Sequence, residues 1–178
     1  LMQNMNGTTR SRELPQGDGT LPKEVKGNQM MAIALWLIWR CLQHGVYFTL
    51  EHPLTSRVWN LPFIRYLVEV LECVAVELDQ CAFGKRPSDW EPSQGDVRTM
   101  KPTKILTNNP FMRILQRRCP DVEKHTHRAV IGASATGSRR STEAAAFPRL
   151  LAVAYAHATK TAWLRNPPAT QHKLPNIV

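Results

Sequence analysis

Three stretches of the chain hold residue types able to do chemistry. The first runs Val46-Tyr47-Phe48-Thr49-Leu50 and ends in Glu51-His52-Pro53. β-Branched and aromatic residues running into an acid and a proline predict a short buried strand with a carboxylate at its C-terminal edge. Pro53 biases His52 toward an extended backbone and cannot donate to a sheet ladder. Ligands of open α/β sheets bind beyond the carboxyl ends of the strands, which makes Glu51 the candidate catalytic acid. A carboxylate fixed there can accept hydrogen bonds from the amino face of a base, or act as general acid or base once burial raises its pKa. The plainer role is to cap the next turn or pair with Arg57.

The second stretch is Cys119-x5-His125-x-His127, with Cys81 or His52 as a distant fourth group. Zinc binds such groups tetrahedrally, yet the usual Cys-x2-4-Cys pair is missing. The sequence therefore assigns no metal and reads the histidines as solvated loop residues. The third stretch is the small-residue loop Gly132 to Arg140, where Arg139-Arg140 precede a helix. That pattern suits a phosphate contact at a helix N-terminus and equally an ordinary flexible loop. No P-loop, Gly-x-Gly-x-x-Gly, nucleophile elbow, His-Glu-x-x-His or EF-hand pattern occurs.

These residues need elements to hold them. Met30, Ile33, Ala34, Leu37, Ile38 and Cys41 recur at helical spacing, with Trp36 and Trp39 read as core, and Gly45 stands where a C-terminal cap belongs. Pro62 opens a second helix bearing Phe63, Tyr66, Leu67, Val70 and Leu71. Cys73 to Asp79 alternates and predicts a second strand. Strand, helix, strand with short links predicts a βαβ unit, hence a parallel pair with a right-handed crossover. Lys85 to Met100 reads as a long polar loop, Lys101 to Asn108 as a strand, Phe111 to Gln116 as a short helix, and Asp121 to Arg140 as aperiodic. A last helix starts at Ser141 and runs to His157, with Pro148 kinking it or resetting its start. The fold class is thus α/β: a Rossmann-like partial parallel sheet with a βαβ core, long loops and flanking helices. Residues 1–22 are expected as a flexible lead-in, 23–164 as the domain and 165–178 as a disordered tail.

The 178 residues suffice for one domain with a real core, and a formal charge of +9 points to acidic partners, nucleic acid first, or equally to a solvated basic surface. Four cysteines, none spaced as Cys-x-x-Cys, make a disulfide scaffold a poor fit, and neither a signal peptide nor a bilayer-spanning run is visible. An intracellular protein with free thiols is expected, in nucleus or cytoplasm.

Several short motifs together resemble one family. They are Leu50-Glu51-His52-Pro53 with Ser56 and Trp59, Asp79-Gln80-Cys81-Ala82-Phe83-Gly84, Lys101-Pro102-Thr103, and Thr107-Asn108. Cys119, His125, His127, Gly132, Phe147-Pro148 and Leu150-Leu151 continue the series. The pattern is similar to the C-terminal half of divergent DNA cytosine-5 methyltransferase-like proteins of phages and mobile elements. The resemblance implies a Rossmann-like sheet for S-adenosylmethionine and a target base flipped out of the helix. It places Glu51 against the flipped cytosine, and Lys101, Lys104, Arg139 and Arg140 toward the DNA. His52 stands where the family has Asn. The glycine-rich cofactor loop and the nucleophile loop expected upstream are not in the chain, so the implied product is catalytically incomplete and binds no cofactor by itself. Beside it stand two other readings, a Cys/His zinc module that binds nucleic acid and a decayed mobile-element product.

Overall fold

Strand β4 (Pro102–Thr107) is the centre of the computed structural model, which describes residues 7–119, 125–130, 132–133, 137 and 139–165. Ile105, Leu106 and Thr107 are all buried, so β4 is covered on both faces and paired on both edges. β1 (Thr49–Pro53) lies along one edge and β2 (Val74–Asp79) along the other, each antiparallel to β4. Thr107 stands opposite both Thr49 and Val74, so β1 and β2 run the same way without touching.

That order corrects the expected adjacent parallel pair. Helix α2 (Pro62–Glu69) does carry the chain from β1 to β2, but β4 enters between them, giving a split crossover. The parallel pair among the described residues is elsewhere. It joins β3 (Val97–Met100) to β5 (Thr126–Ala129), two strands in segments read from sequence as loop and as aperiodic. The fold is mixed helix and strand built on two small sheets. β1 also starts later than expected, so Glu51 sits inside the strand rather than at its end. Pro53 is tolerated because β1 is an edge strand.

The register sorts side chains into two cores, since directly opposed residues share a face. Leu50, Leu106 and Ala75 face α1 (Pro22–Gln43) and α2, with Met31, Ile38, Phe48, Ile64 and Leu67 completing that cluster. Ile105 and Val76 face the other way, onto the 3-10 turn Pro110–Leu115 and α4 (Arg149–Arg165), with Met112, Leu115, Leu151 and Ala158. Glu51 is opposite Ile105 and belongs to this second face.

α1 buries Glu24, Gly27, Met31 and Ile38, a line of positions three, four and seven apart. The predicted stripe is therefore rotated: Met30, Ile33 and Leu37 are exposed, and Trp36, expected in the core, is 60% exposed. The helix is apolar nearly all round in this region, so spacing alone does not fix its buried face. Trp39 does pack, edge-on against Phe63. Glu24 is held by the hydroxyl of Thr8, by Thr9 N at 2.9 Å and by Thr9 Oγ1 at 2.6 Å, while Arg10 Nη2 reaches Glu24 O at 3.0 Å and Asn28 Oδ1 at 2.9 Å. Residues 8–10 of the expected lead-in are thus tied to α1.

Pro148 resets the last helix rather than kinking it. α3 (Arg140–Glu143) stops before it and α4 begins at Arg149, running on to Arg165. The expected tail, from residue 166 onward, lies outside the described residues. Among the described residues no helix is long and apolar enough to cross a membrane.

Candidate metal centre

The end of β2 assembles the site. Asp79 N donates to Arg117 O at 2.9 Å, so the segment after the 3-10 turn Pro110–Leu115 runs beside β2. The Asp79 carboxylate then fixes that segment, accepting from Cys119 N at 2.8 Å and from Arg118 Nε at 3.0 Å. Cys81 follows immediately, in the 3-10 turn Gln80–Phe83, which Gly84 closes with φ +76°, a left-handed conformation that costs glycine little. Asp79 therefore positions one cysteine while its own strand delivers the other.

The histidines arrive on β5 and the residue before it. Alternation along an extended backbone puts His125 and His127 on one face and Arg128 on the other. Arg98, opposite His127 in β3, donates Nη1 to Cys81 O at 3.0 Å and is itself gripped by Asp96 at 2.8 and 3.0 Å. The small parallel sheet is thereby docked on the Cys81 turn.

The ligand atoms of Cys81, Cys119, His125 and His127 all lie within 4.8 Å of one another. Cys119 Sγ is 3.5 Å from His125 Nε2 and 3.6 Å from His127 Nε2. A tetrahedral zinc with bonds of about 2.3 Å to sulfur and about 2.05 Å to nitrogen has S···N edges of about 3.6 Å. The two Nε2 atoms are 2.9 Å apart, a few tenths of an ångström inside the roughly 3.3 Å edge of the same tetrahedron. The second sphere is built as well, with Asp79 on the Cys119 amide and Arg98 on the Cys81 carbonyl. Burial first, then the hydrogen bond with Cys119, pushes the Cys81 thiol up to about 12. A divalent cation reverses that preference by binding the thiolate directly. Two thiolates and two neutral imidazoles around Zn²⁺ sum to zero charge, which suits a partly buried place.

No family model, curated protein or solved structure matches this chain.

This geometry replaces the reading of the two histidines as solvated loop residues. His125 is buried at 7% exposure, and Cys81 rather than His52 supplies the fourth corner. The sequence signals were a His-x-His pair, which shares one face if extended, and a cysteine two residues past a strand.

The other expected site residues scatter. Glu51 is half-buried with Oε1 lacking a hydrogen-bond partner, and burial raises its pKa against the opposing charge of Lys101. Lys101 itself is committed to Ala144 O at 2.9 Å. Lys104 pairs with Glu77 at 3.3 Å and sits 5.5 Å over the Trp59 ring. Arg139 is exposed, and Arg140 lines a cleft with Arg86 and Arg128, two arginines the sequence reading did not single out.

His52 offers a pH test. It packs edge-on to Trp59, its Nδ1 is buried without a partner, and burial lowers its pKa from 6.5 to about 4. The fold keeps His52 neutral while the unfolded chain protonates it near pH 6.5, so stability falls as pH drops from about 6.5 toward 4. Discounted for partial exposure, the loss is about 1–2 kcal/mol. Glu51, with its raised pKa, works in the opposite sense, its contribution declining as pH rises. Urea midpoints measured across that window should flatten in His52→Phe; an unchanged slope would show that His52 titrates normally in the fold.

Proposed function

We propose that the chain is a nucleic-acid-binding module organised by one structural zinc ion on Cys81, Cys119, His125 and His127. The observation that carries this reading is the meeting of four soft ligand atoms within 4.8 Å, drawn from three separate segments of chain. Four protein ligands fill a tetrahedral coordination sphere, which makes the centre structural rather than hydrolytic. Its work is mechanical: it fastens the Cys81 turn, the Arg117–Cys119 segment and β5 into one unit. The net charge of +9 supports nucleic acid as the partner of that unit, with DNA the first to test.

The test has two halves. Purified protein should hold about one equivalent of zinc, and its affinity for a DNA duplex should fall steeply and log-linearly between roughly 50 and 200 mM salt. A metal-free chain that folds and binds identically would sink the zinc half. Binding indifferent to salt would sink the other.

A second reading keeps the kinship with cytosine-5 methyltransferases and with it a Rossmann-like sheet for S-adenosylmethionine. It is favoured by Glu51 alone, whose unpartnered oxygen and raised pKa suit a carboxyl waiting for the edge of a base. Calorimetry with S-adenosylmethionine, repeated on Glu51→Ala, separates cofactor binding from base recognition.

A further inference from the structure

We infer that the cleft between β5, α3 and the loop after Gly84 is a phosphodiester site, where nucleic-acid backbone is held by Arg86, Arg128 and Arg140. This rests on the nucleic-acid reading above and adds the place of contact. The cleft has a free volume of about 20 Å³, room for one water-sized group, and is lined by these three arginines together with Ser88, Asp89 and Thr99. Small-molecule sites span about 300–1,000 Å³ and engulf their ligands. A cleft this small admits the oxygens of one phosphate of a chain that continues outside it.

The charges are set for an anion. Arg128 Nη1 holds Asp89 at 2.7 Å, and Arg140 Nη2 approaches the other oxygen of Asp89 only to 3.9 Å, beyond hydrogen-bond reach. Arg140 Nε has no hydrogen-bond partner at all. Arg86 lies 3.7 Å over the Trp90 ring and 3.6 Å from Asp96, with its side chain 40% exposed. Asp96 pairs with Arg86 from outside the lining, so within the cleft three arginines face Asp89 and a surplus of about one to two positive charges remains. Arginine forks match phosphate oxygens in pairs, and Arg140 has donors to spare.

The zinc centre explains why the arginines stay in place. His127 and Arg128 are neighbours on β5, pointing to opposite faces, so a metal on His127 fixes the backbone from which Arg128 reaches into the cleft. Backbone pairing of β5 with β3 sets the same strand against Thr99, which lines the cleft floor.

The experiment is fluorescence anisotropy of the zinc-loaded full chain on a labelled mixed-sequence DNA duplex, at several salt concentrations. Arg86→Ala and Arg140→Ala should each weaken binding several-fold and reduce the log–log salt slope by about one, while Arg65→Ala, on the exposed side of α2, changes neither. Zinc content and circular dichroism verify that the variants are folded. Unchanged affinity and slope in Arg86→Ala/Arg140→Ala, with parent binding intact, would overturn the cleft and leave the zinc-organised DNA binder standing. A parent that ignores DNA would overturn the partner assigned above. Tripolyphosphate calorimetry then decides the cleft separately: heat lost in Arg140→Ala keeps an anion site, and no heat in the parent ends it.

Discussion

Replacing Cys81 with serine is expected to abolish the proposed zinc binding and lower the thermal midpoint by roughly 10 °C. Cys81 is fully buried, and its Sγ lies within 4.8 Å of the ligand atoms of Cys119, His125 and His127. Serine leaves three ligands and a hydroxyl that binds zinc poorly, so affinity should fall by about three orders of magnitude or more, enough to empty the site. A ligand held at 1,000 times its dissociation constant stabilises a fold by about 4 kcal/mol. For a domain of this size each kcal/mol moves the midpoint by about 2–4 °C, which gives the expected shift. Cys119→Ser and His127→Ala should match it, because each removes one corner of the same tetrahedron.

The control lies in the other thiols. Cys73 is buried in the α1–α2 core, where burial alone pushes its thiol up to about 11, and Cys41 packs partly against the same core. Cys41→Ser should keep its zinc and Cys73→Ser should lose stability without losing metal. Metal analysis together with thermal melts separates the outcomes. A Cys81→Ser protein that retains a full equivalent of zinc, or that melts where the parent does, would remove the metal centre from the account.

The parts of this fold visible in the sequence are those whose side chains form one long, self-consistent pattern. Val74 to Asp79 alternates between the two cores, and Pro62 and Gly45 mark a helix start and a helix end. The parts that were hidden depend on contacts distant along the chain. β3 and β5 have four residues each, include Arg98, Thr126, His127 and Arg128, and pair across a gap from Met100 to Thr126. Segments that short and polar carry no readable period. The insertion of β4 between β1 and β2 was likewise non-local, although Ile105-Leu106 followed by the β-branched Thr107 is the kind of run without alternation that a strand covered on both faces shows. The Cys/His cluster was half legible. Cys119, His125 and His127 stood together in the sequence, but Cys81 joins them only because Asp79 pulls residues 117–119 against the end of β2.

Leu106→Ala should be among the most damaging single changes in the apolar interior, at about 2–5 kcal/mol. Leu106 is fully buried at the middle of the central strand, between Leu50 on one neighbour and Ala75 on the other. Its face is closed by Met31 and Ile38 of α1 and Ile64 and Leu67 of α2, helices anchored elsewhere that cannot collapse freely into the space left behind. With total stability of about 5–15 kcal/mol for an ordinary domain, this is a large fraction. The damage should also be local in kind. Among the described strands β1 pairs only with β4, so amides of Thr49 to His52 should exchange faster with solvent, while the proposed zinc, seated past the far end of β2, stays bound. Ile105→Ala, one residue away but facing Met112, Leu115 and Leu151, should cost a similar amount while loosening α4 instead. A loss below about 1 kcal/mol for Leu106→Ala would mean that α1 does not close over the sheet as described, because an open face leaves no cavity to penalise.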